Sequence, residues 1–268
     1  TKFERYFLFI LFFELFAGGG GRFFEIGPVS IRQVLFAGAM ILFCIRFILN
    51  KQTREEILGY FKKPNTAVFW LSIAMVFWIG VSSLLGILHH HPMGTVVTDA
   101  FRVIFVIMII PFIYYIGDGR FSRKDLLKTL FIAALVVSLI TITIGIIGKF
   151  MNDEQYYYFY QDINKLFPGD LYFRPSRGAF HKSHFLVLFA VIIGIIKLLE
   201  KELTKFQGVV LFLGITSIVL SETRGLYLGF LVGILTYLLT KGVIYFTGDR
   251  ASLNLSKKSN LIRLLVLF

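Results

Sequence analysis

The chain has 268 residues, of which 56% are hydrophobic and 16% are charged, and its formal net charge is +12. Soluble domains carry about 25% charged residues, so this composition excludes an ordinary soluble globular protein. The basic residues lie in short segments between long apolar runs, which is typical of membrane topology signals rather than of a nucleic-acid surface. Cys44 is the one cysteine, so no disulfide can form within these residues.

The apolar runs predict an all-α, polytopic membrane protein, because a helix needs roughly 20 apolar residues to cross a bilayer. Eight complete transmembrane helices are expected at residues 5–17, 31–49, 67–88, 98–117, 126–148, 183–199, 206–221 and 225–246. A ninth begins near Asn260. We expect one transmembrane helical domain over residues 1–268. It is expected to be a piece of a longer protein, since the chain begins without Met and stops at Phe268 inside an apolar run.

The charged segments between these spans alternate in their content of Lys and Arg. One side of the membrane receives 19 of the 28 Lys and Arg residues, and the positive-inside rule assigns that side to the cytoplasm. The N-terminus is then cytoplasmic. Six of the nine basic residues on the outward side are arginines, which bind phosphate or carboxylate in a bidentate way that lysine cannot. Two of them, Arg22 and Arg32, are interpreted as ordinary flanking charges.

The longest outward segment is a loop at residues 149–182. It opens with a row of tyrosines, which are Tyr156, Tyr157, Tyr158 and Tyr160. This row has two interpretations, an aromatic belt at the membrane interface or a platform for a sugar. The loop closes with Arg174 and Arg177.

Arg177 and Arg224 are expected to lie close together at the outward face. From Arg177 the chain crosses the membrane, turns, and returns to Arg224, and the axes of such paired helices are about 8–10 Å apart. Two converging arginines would suit an anionic, lipid-linked group such as a diphosphate. The alternative is that Arg224 neutralises Glu222 in a tight turn. Arg102 is a further candidate for substrate binding, although it could pair locally with Asp99 one helical turn away.

Glycines and histidines complete the set of candidates. Gly225, Gly229 and Gly233 follow Arg224 at four-residue intervals, a pattern that permits close helix packing and would fix the position of the arginine. The histidines at residues 89–91, together with His181 and His184, are expected to lie on the outward side of the membrane. No carboxylate cluster accompanies them, so we expect no metal site.

Two short motifs resemble the O-antigen ligase/polymerase (Wzy-type) family of bacterial envelope proteins. In that family an outward arginine followed by glycine and phenylalanine opens one span. A serine/threonine-x-arginine-glycine turn opens the span after the next. The sequence "RGAF" at residues 177–180 matches the first motif, and "SETRG" at residues 221–225 matches the second. With the spans that precede them, the resemblance covers essentially the whole chain.

The resemblance implies a glycosyltransferase of the bacterial cytoplasmic membrane. Such an enzyme joins a glycan from undecaprenyl diphosphate to an acceptor sugar, as in O-antigen, lipopolysaccharide or other surface polysaccharide synthesis. Its partners are the lipid-linked donor, a glycan or lipid acceptor and membrane lipids, without a nucleotide sugar, cofactor or metal. Arg177 and Arg224 would hold the diphosphate, and Arg174 is a further substrate-binding residue beside them. The general base would be a histidine on a loop beyond Phe268. His181 and His184 stand where the family often has asparagine or small residues.

Two other classes of function remain open on the sequence alone. A transporter or flippase of a charged lipid-linked substrate would show internal repeats and interrupted helices with polar residues at mid-membrane. Pro111 is the clear breaker within a span, and ionisable residues avoid the span centres. A purely structural membrane subunit explains the basic loops but not the outward arginines. Ligase and polymerase share their donor chemistry, so both remain possible.

Overall fold

The computed structural model describes residues 2–19, 25–26, 29–61, 67–117, 121–167, 169–174 and 176–247. Over these residues the chain is predominantly α-helical, which confirms the all-α class. Two compact units meet in sequence between Leu130 and Phe131, and each is described by itself. Arg22 and the predicted ninth span near Asn260 lie outside the described residues.

The first unit is a group of helices with one short antiparallel hairpin. Its described elements are α1 (Lys2–Ala17), β1 (Glu25–Ile26), β2 (Val29–Ser30), α2 (Ile31–Leu49), α3 (Lys51–Phe61), α4 (Ala67–Leu88), α5 (Met93–Val103), a 3-10 segment (Ile104–Met108) and α6 (Ile109–Gly117). In the hairpin Glu25 lies opposite Ser30. The core joins α1 to α2 and α6, with Phe12, Phe36 and Tyr115 among its buried side chains.

The second unit carries the arginines. Helix α7 (Arg123–Lys149) enters it, followed by α8 (Asp153–Leu166), β3 (Leu171–Phe173), β4 (Ala179–His181), α9 (His184–Leu199), α10 (Lys205–Leu220) and α11 (Arg224–Thr247). The two strands are antiparallel, with Leu171 opposite His181. Helix α9 packs against both α10 and α11. Helix α10 begins at a capping box in which Thr204 and Gln207 exchange side-chain to backbone hydrogen bonds, a pattern that satisfies two otherwise unpaired amides.

Helices lie at all eight predicted spans, but their lengths differ. By length and composition, three described helices can cross a membrane: Ile31–Leu49, Arg123–Lys149 and Arg224–Gly242. Helices α9 and α10 have 16 residues each, about 24 Å at 1.5 Å per residue, which is shorter than a hydrocarbon core. The number of spans stays a prediction.

The span predicted at residues 98–117 is interrupted. Helix α5 ends at Val103, a 3-10 segment covers Ile104–Met108, and α6 follows. Pro111 explains the break, since its ring clashes with the carbonyl four residues earlier and it has no amide hydrogen to donate. The tighter 3-10 geometry accommodates this loss.

The segment predicted to be an outward loop, residues 149–182, contains helix α8 and the strands β3 and β4. Asn152 and Gln155 form a capping box that starts α8. Phe159 and Ile163 of α8, one helical turn apart, pack against the buried cluster of Ile144, Leu171 and Ala179. The run of tyrosines concealed this periodicity, because both the inner and the outer face of α8 are aromatic.

Apolar side chains cover the outer surfaces of α10 and α11. Phe212 on α10 and Leu228 and Leu239 on α11 are each more than 60% exposed. Contiguous apolar surface of this extent marks contact with a partner or with lipid. Together with the helix lengths, it supports a membrane protein.

The glycines of α11 differ in their packing. A Cβ atom built on Gly229 would lie 3.0 Å from Leu188 of α9, and one on Gly233 would lie 2.5 Å from Ile192. Gly225 has no such neighbour within 4 Å. The close approach predicted from the glycine repeat is thus present at the second and third glycines.

Gly233→Val is expected to destabilise the protein by about 2 kcal/mol, because added volume at a packed helix interface forces the helices apart. The matched change Gly225→Val falls on open space and should leave stability close to that of the wild type. Thermal unfolding in detergent measures the difference. Equal melting temperatures for the two variants would contradict the packing of Gly233 on α9.

Helices α1 and α2 run antiparallel and are joined by an ion pair near each end. Glu4 pairs with Arg46, and Glu14 pairs with Arg32, each at 2.8 Å. The second pair is nearly buried, with 10% and 15% of the two side chains exposed. The sequence suggested that Arg32 is an ordinary flanking charge, and this prediction is wrong. A charge in that position is retained where a partner compensates its desolvation.

Candidate functional site

Two loops of the second unit meet and bring the arginine-bearing segments together. The β3–β4 loop contains residues 174–178, and the turn from α10 to α11 contains residues 221–224; we call these two segments together the arginine end. A Cβ atom built on Gly178 would lie only 2.0 Å from the carbonyl oxygen of Leu220, so the two segments are in direct backbone contact. Proximity of the two motifs was predicted from the helical hairpin.

Arg174 makes the side-chain contacts between these two segments. Its Nε donates to the Ser221 carbonyl at 3.3 Å, and its Nη2 donates to Thr223 Oγ1 at 3.0 Å. The guanidinium carbon also lies 5.9 Å from the centre of the Phe180 ring, within the range of a cation–π interaction. Arg174 thus binds the turn that precedes Arg224.

Arg177 is directed to a different part of the unit. Its Nη1 donates to the carbonyls of Gly148, at 3.0 Å, and Met151, and its Nη2 pairs with Asp153 at 2.8 Å. The guanidinium lies 5.4 Å from the ring centre of Tyr156. Because helix carbonyls at a C-terminus lack intrahelical partners, Arg177 caps α7 and ties it to the first turn of α8.

Arg224 is the first residue of α11, and its side chain is exposed. The alternative role of neutralising Glu222 is not seen: among the residues that the structure describes, no carboxylate forms an ion pair with Arg224. Glu222 is itself exposed and adopts φ of +48°, a left-handed conformation that is uncommon outside glycine. The turn therefore presents Arg224 to the surroundings.

Arg102, the fourth predicted substrate-binding residue, belongs to α5. Its side chain lies outside the described part of the structure, and it is in the first unit. Its role remains a prediction.

The tyrosine row does not form one surface. Tyr156 and Tyr160 pack edge-on against Phe173 of β3, with ring centres 5.8 and 4.7 Å away. Burial raises the pKa of the Tyr156 hydroxyl. Tyr157 and Tyr158 are exposed. The adjacent tyrosines thus divide between the packed and the free face of α8.

The two histidines of the 181–184 segment are buried within the second unit, and their place on the outward side of the membrane stays a prediction. Burial lowers the pKa of His181 to about 4, so its imidazole is neutral at physiological pH. His184 is fully buried. No group of three His, Cys, Asp or Glu side chains suited to a metal ion occurs in the part of the chain that the structure covers.

His184 heads a buried chain of hydrogen bonds that the sequence did not reveal. Its Nε2 lies 2.7 Å from Ser217 Oγ on α10, which lies 2.7 Å from Thr141 Oγ1 on α7. Thr141 donates to the Val137 carbonyl, and the His181 amide donates to His184 Nδ1. His184 Nδ1 also lies 3.0 Å from the His181 carbonyl oxygen, so either tautomer of the imidazole finds a backbone partner at this nitrogen.

Burial argues against a Ser–His nucleophile pair at this position. An activated serine donates its proton to the imidazole and must reach a substrate. Neither side chain is exposed. Single polar residues within apolar runs are the one sequence signal for such a network, and polar side chains do bond across membrane helices.

Comparisons with protein-family models, curated proteins and solved structures find no match to this chain. The arginine end is therefore interpreted from its own geometry.

Proposed function

We propose that this protein spans the bacterial cytoplasmic membrane eight times, with a cytoplasmic N-terminus and an outward arginine end. We further propose that the protein transfers a glycan from undecaprenyl diphosphate to an acceptor sugar, as a ligase or polymerase of surface polysaccharide does. The asymmetry of Lys and Arg between the loops supports the orientation. The apolar outer faces of α10 and α11 support the membrane location.

The exposure of Arg224 beside a fixed turn is the observation that carries this proposal. Arg174 and Arg177 are bonded to the chain itself, whereas the Arg224 guanidinium is available for a ligand. Its planar fork matches two phosphate oxygens. Its position at the first residue of α11 adds a favourable environment for an anion. A lipid-linked diphosphate is the ligand that this chemistry at a membrane boundary fits best.

In the proposed reaction the acceptor hydroxyl attacks the anomeric carbon of the glycan, and the bond from that carbon to the diphosphate oxygen breaks. Arg224 would offset the negative charge that develops on the leaving diphosphate. A general base must take the hydroxyl proton, and the resemblance implies a histidine for this role. His184 is not assigned this role, because its side chain is fully buried. Arg177 would support the site by holding α7 and α8.

The transporter or flippase alternative is favoured by two observations in the first unit. The helix run at residues 93–117 is interrupted by its 3-10 segment, as the helices of many transporters are. A cavity of about 800 Å³ lies between α4 and α5, with apolar walls that include Trp78 and polar groups that include Ser83 and Thr95. Such a cavity could accept part of a lipid.

The proposal is tested with Arg224→Ala and Arg224→Lys in the producing bacterium, at matched membrane levels. Loss of a charge-stabilising donor should lower polysaccharide formation about 100-fold and cause the lipid-linked glycan to accumulate on the outer leaflet. Lysine should not restore activity, because it cannot bind two oxygens in a fixed plane. Lys165→Ala removes an exposed charge that pairs only with Asp162 among described residues, and it serves as the control.

Unchanged polysaccharide in Arg224→Ala would overturn the proposed role of Arg224. Accumulation of donor on the inner leaflet instead would favour the flippase alternative.

A further inference from the structure

The turn that carries Arg224 requires support from the rest of the unit. Glu222 adopts a left-handed backbone conformation that a side chain disfavours, and such residues persist where their surroundings determine them. The turn has some bonds of its own, since Thr223 Oγ1 donates to the Ser221 carbonyl at 3.1 Å and Ser221 Oγ donates to Ile218 at 2.7 Å. Arg174 adds bonds from outside it.

Arg174 contacts the turn on both sides of Glu222. It donates to the Ser221 carbonyl before that residue and to the Thr223 hydroxyl after it. One rigid guanidinium therefore connects both ends of the strained residue, which two flexible side chains could do only at a greater loss of entropy. The backbone contact of Gly178 with Leu220 also holds the β3–β4 loop close to the end of α10.

Arg174 is in turn supported from within the unit. Phe180 lies beneath its guanidinium and stacks on His184, with ring centres 5.5 Å apart and an angle of 17° between the planes. His184 bonds to Ser217, one helical turn before Ser221 on α10. The β3–β4 hairpin and the end of α10 are thus joined twice, at the surface through Arg174 and in the interior through His184.

We infer that Arg174 is a positioning residue: it fixes the α10–α11 turn so that Arg224 is presented to the ligand, and it does not bind the ligand itself. The inference rests on the proposed function, in which Arg224 binds a diphosphate. It assigns different roles to two arginines that the sequence treated alike. It also predicts that Thr223, whose hydroxyl receives the Arg174 bond, acts together with Arg174.

The test compares Arg174→Gln, Thr223→Val and the double variant in the full-length protein in lipid nanodiscs. Hydrogen exchange of the Ser221, Glu222 and Leu226 amides is measured without ligand, because all three are bonded within the turn and its flanks. Affinity for farnesyl diphosphate is measured separately. Lys165→Gln, which removes an exposed charge from α8, is the matched control.

We expect each single variant to speed exchange at these amides about tenfold, as local opening becomes easier, and to weaken the binding of farnesyl diphosphate. The double variant should exchange no faster, and bind farnesyl diphosphate no more weakly, than the more strongly affected single variant, since both changes remove the same support. A loss of affinity in Arg174→Gln with unchanged exchange would overturn the inference and make Arg174 a direct ligand. Additive losses in the double variant would also overturn it. Faster exchange in a protein whose wild type does not bind the probe would support the positioning role and refute the proposed function.

Discussion

Gly178→Ala is expected to unfold the arginine end. A Cβ atom at this position would lie 2.0 Å from the Leu220 oxygen and 3.2 Å from its carbonyl carbon. Both are backbone atoms at the end of α10, so no side chain can rotate away. Relief requires the β3–β4 loop and α10 to separate, which also removes the Arg174 bonds to the turn. We expect a cost of about 3 kcal/mol or more, the upper range for added volume in a packed region.

Gly145→Ala is the matched control for this prediction. Gly145 lies on α7 beneath the same loop, and a Cβ atom there would lie at an ordinary 3.8 Å from the Arg177 carbonyl. Alanine is favoured over glycine in a helix, so this variant should be as stable as the wild type or more so. Thermal unfolding in detergent compares the two. A Gly178→Ala variant that melts with the wild type would show that the two loops are not in contact.

Replacing one member of the Glu14–Arg32 ion pair should lower the stability of the protein, whereas replacing both members should not. Glu14→Leu leaves the guanidinium of Arg32 largely buried and without its carboxylate, which costs about 3–5 kcal/mol for buried pairs. Arg32→Leu should be as damaging. The double replacement with leucine removes both charges and should return stability close to that of the wild type, because two apolar residues need no desolvation.

Denaturant unfolding of the two single variants and the double variant measures this coupling. Asp162 and Lys165 form a comparable pair that is mostly exposed, and breaking it should cost about 1 kcal/mol or less. If the Glu14 and Arg32 losses were additive, the pair would contribute no more than its exposed counterpart, and the burial of these charges would be refuted.

Helix positions were predictable from the sequence because they depend on long apolar runs. Helical structure lies at every predicted span, although the one at residues 98–117 is interrupted by a 3-10 segment. Proximity of the 174–178 and 221–224 segments was also predictable, since two helices that reverse direction return the chain to the same end. The helical character of α8 was not, because Phe159 and Ile163 are embedded in tyrosines that hide the apolar period. Burial of His181 and His184 depended on the β3–β4 hairpin, for which three-residue strands leave little sequence signal.

The division of work between the arginines could not be read from the motifs. Arg177 adopts φ of +68°, and this backbone conformation directs its side chain to α7 and α8 instead of to the neighbouring turn. The sequence predicted that Arg177 lies beside the turn that precedes Arg224. In the structure Arg174 makes the side-chain contacts with that turn. Local backbone geometry of this kind arises from packing, here from the contact of Gly178 with Leu220, and it has no counterpart in residue spacing.

The His184–Ser217–Thr141 chain has a consequence for how the bundle assembles. Apolar helix surfaces are nearly interchangeable, so hydrophobic packing alone tolerates several rotations of a helix about its axis. A hydroxyl or imidazole turned towards hydrocarbon would lose its partner, and one rotation of α7, α9 and α10 satisfies all three groups. Thr141 bonds to the carbonyl one turn before it on the same helix, so its hydroxyl has a partner before α7 packs against other helices. His184 and Ser217 bond to each other across α9 and α10, so we expect the pairing of these two helices to favour the native rotation.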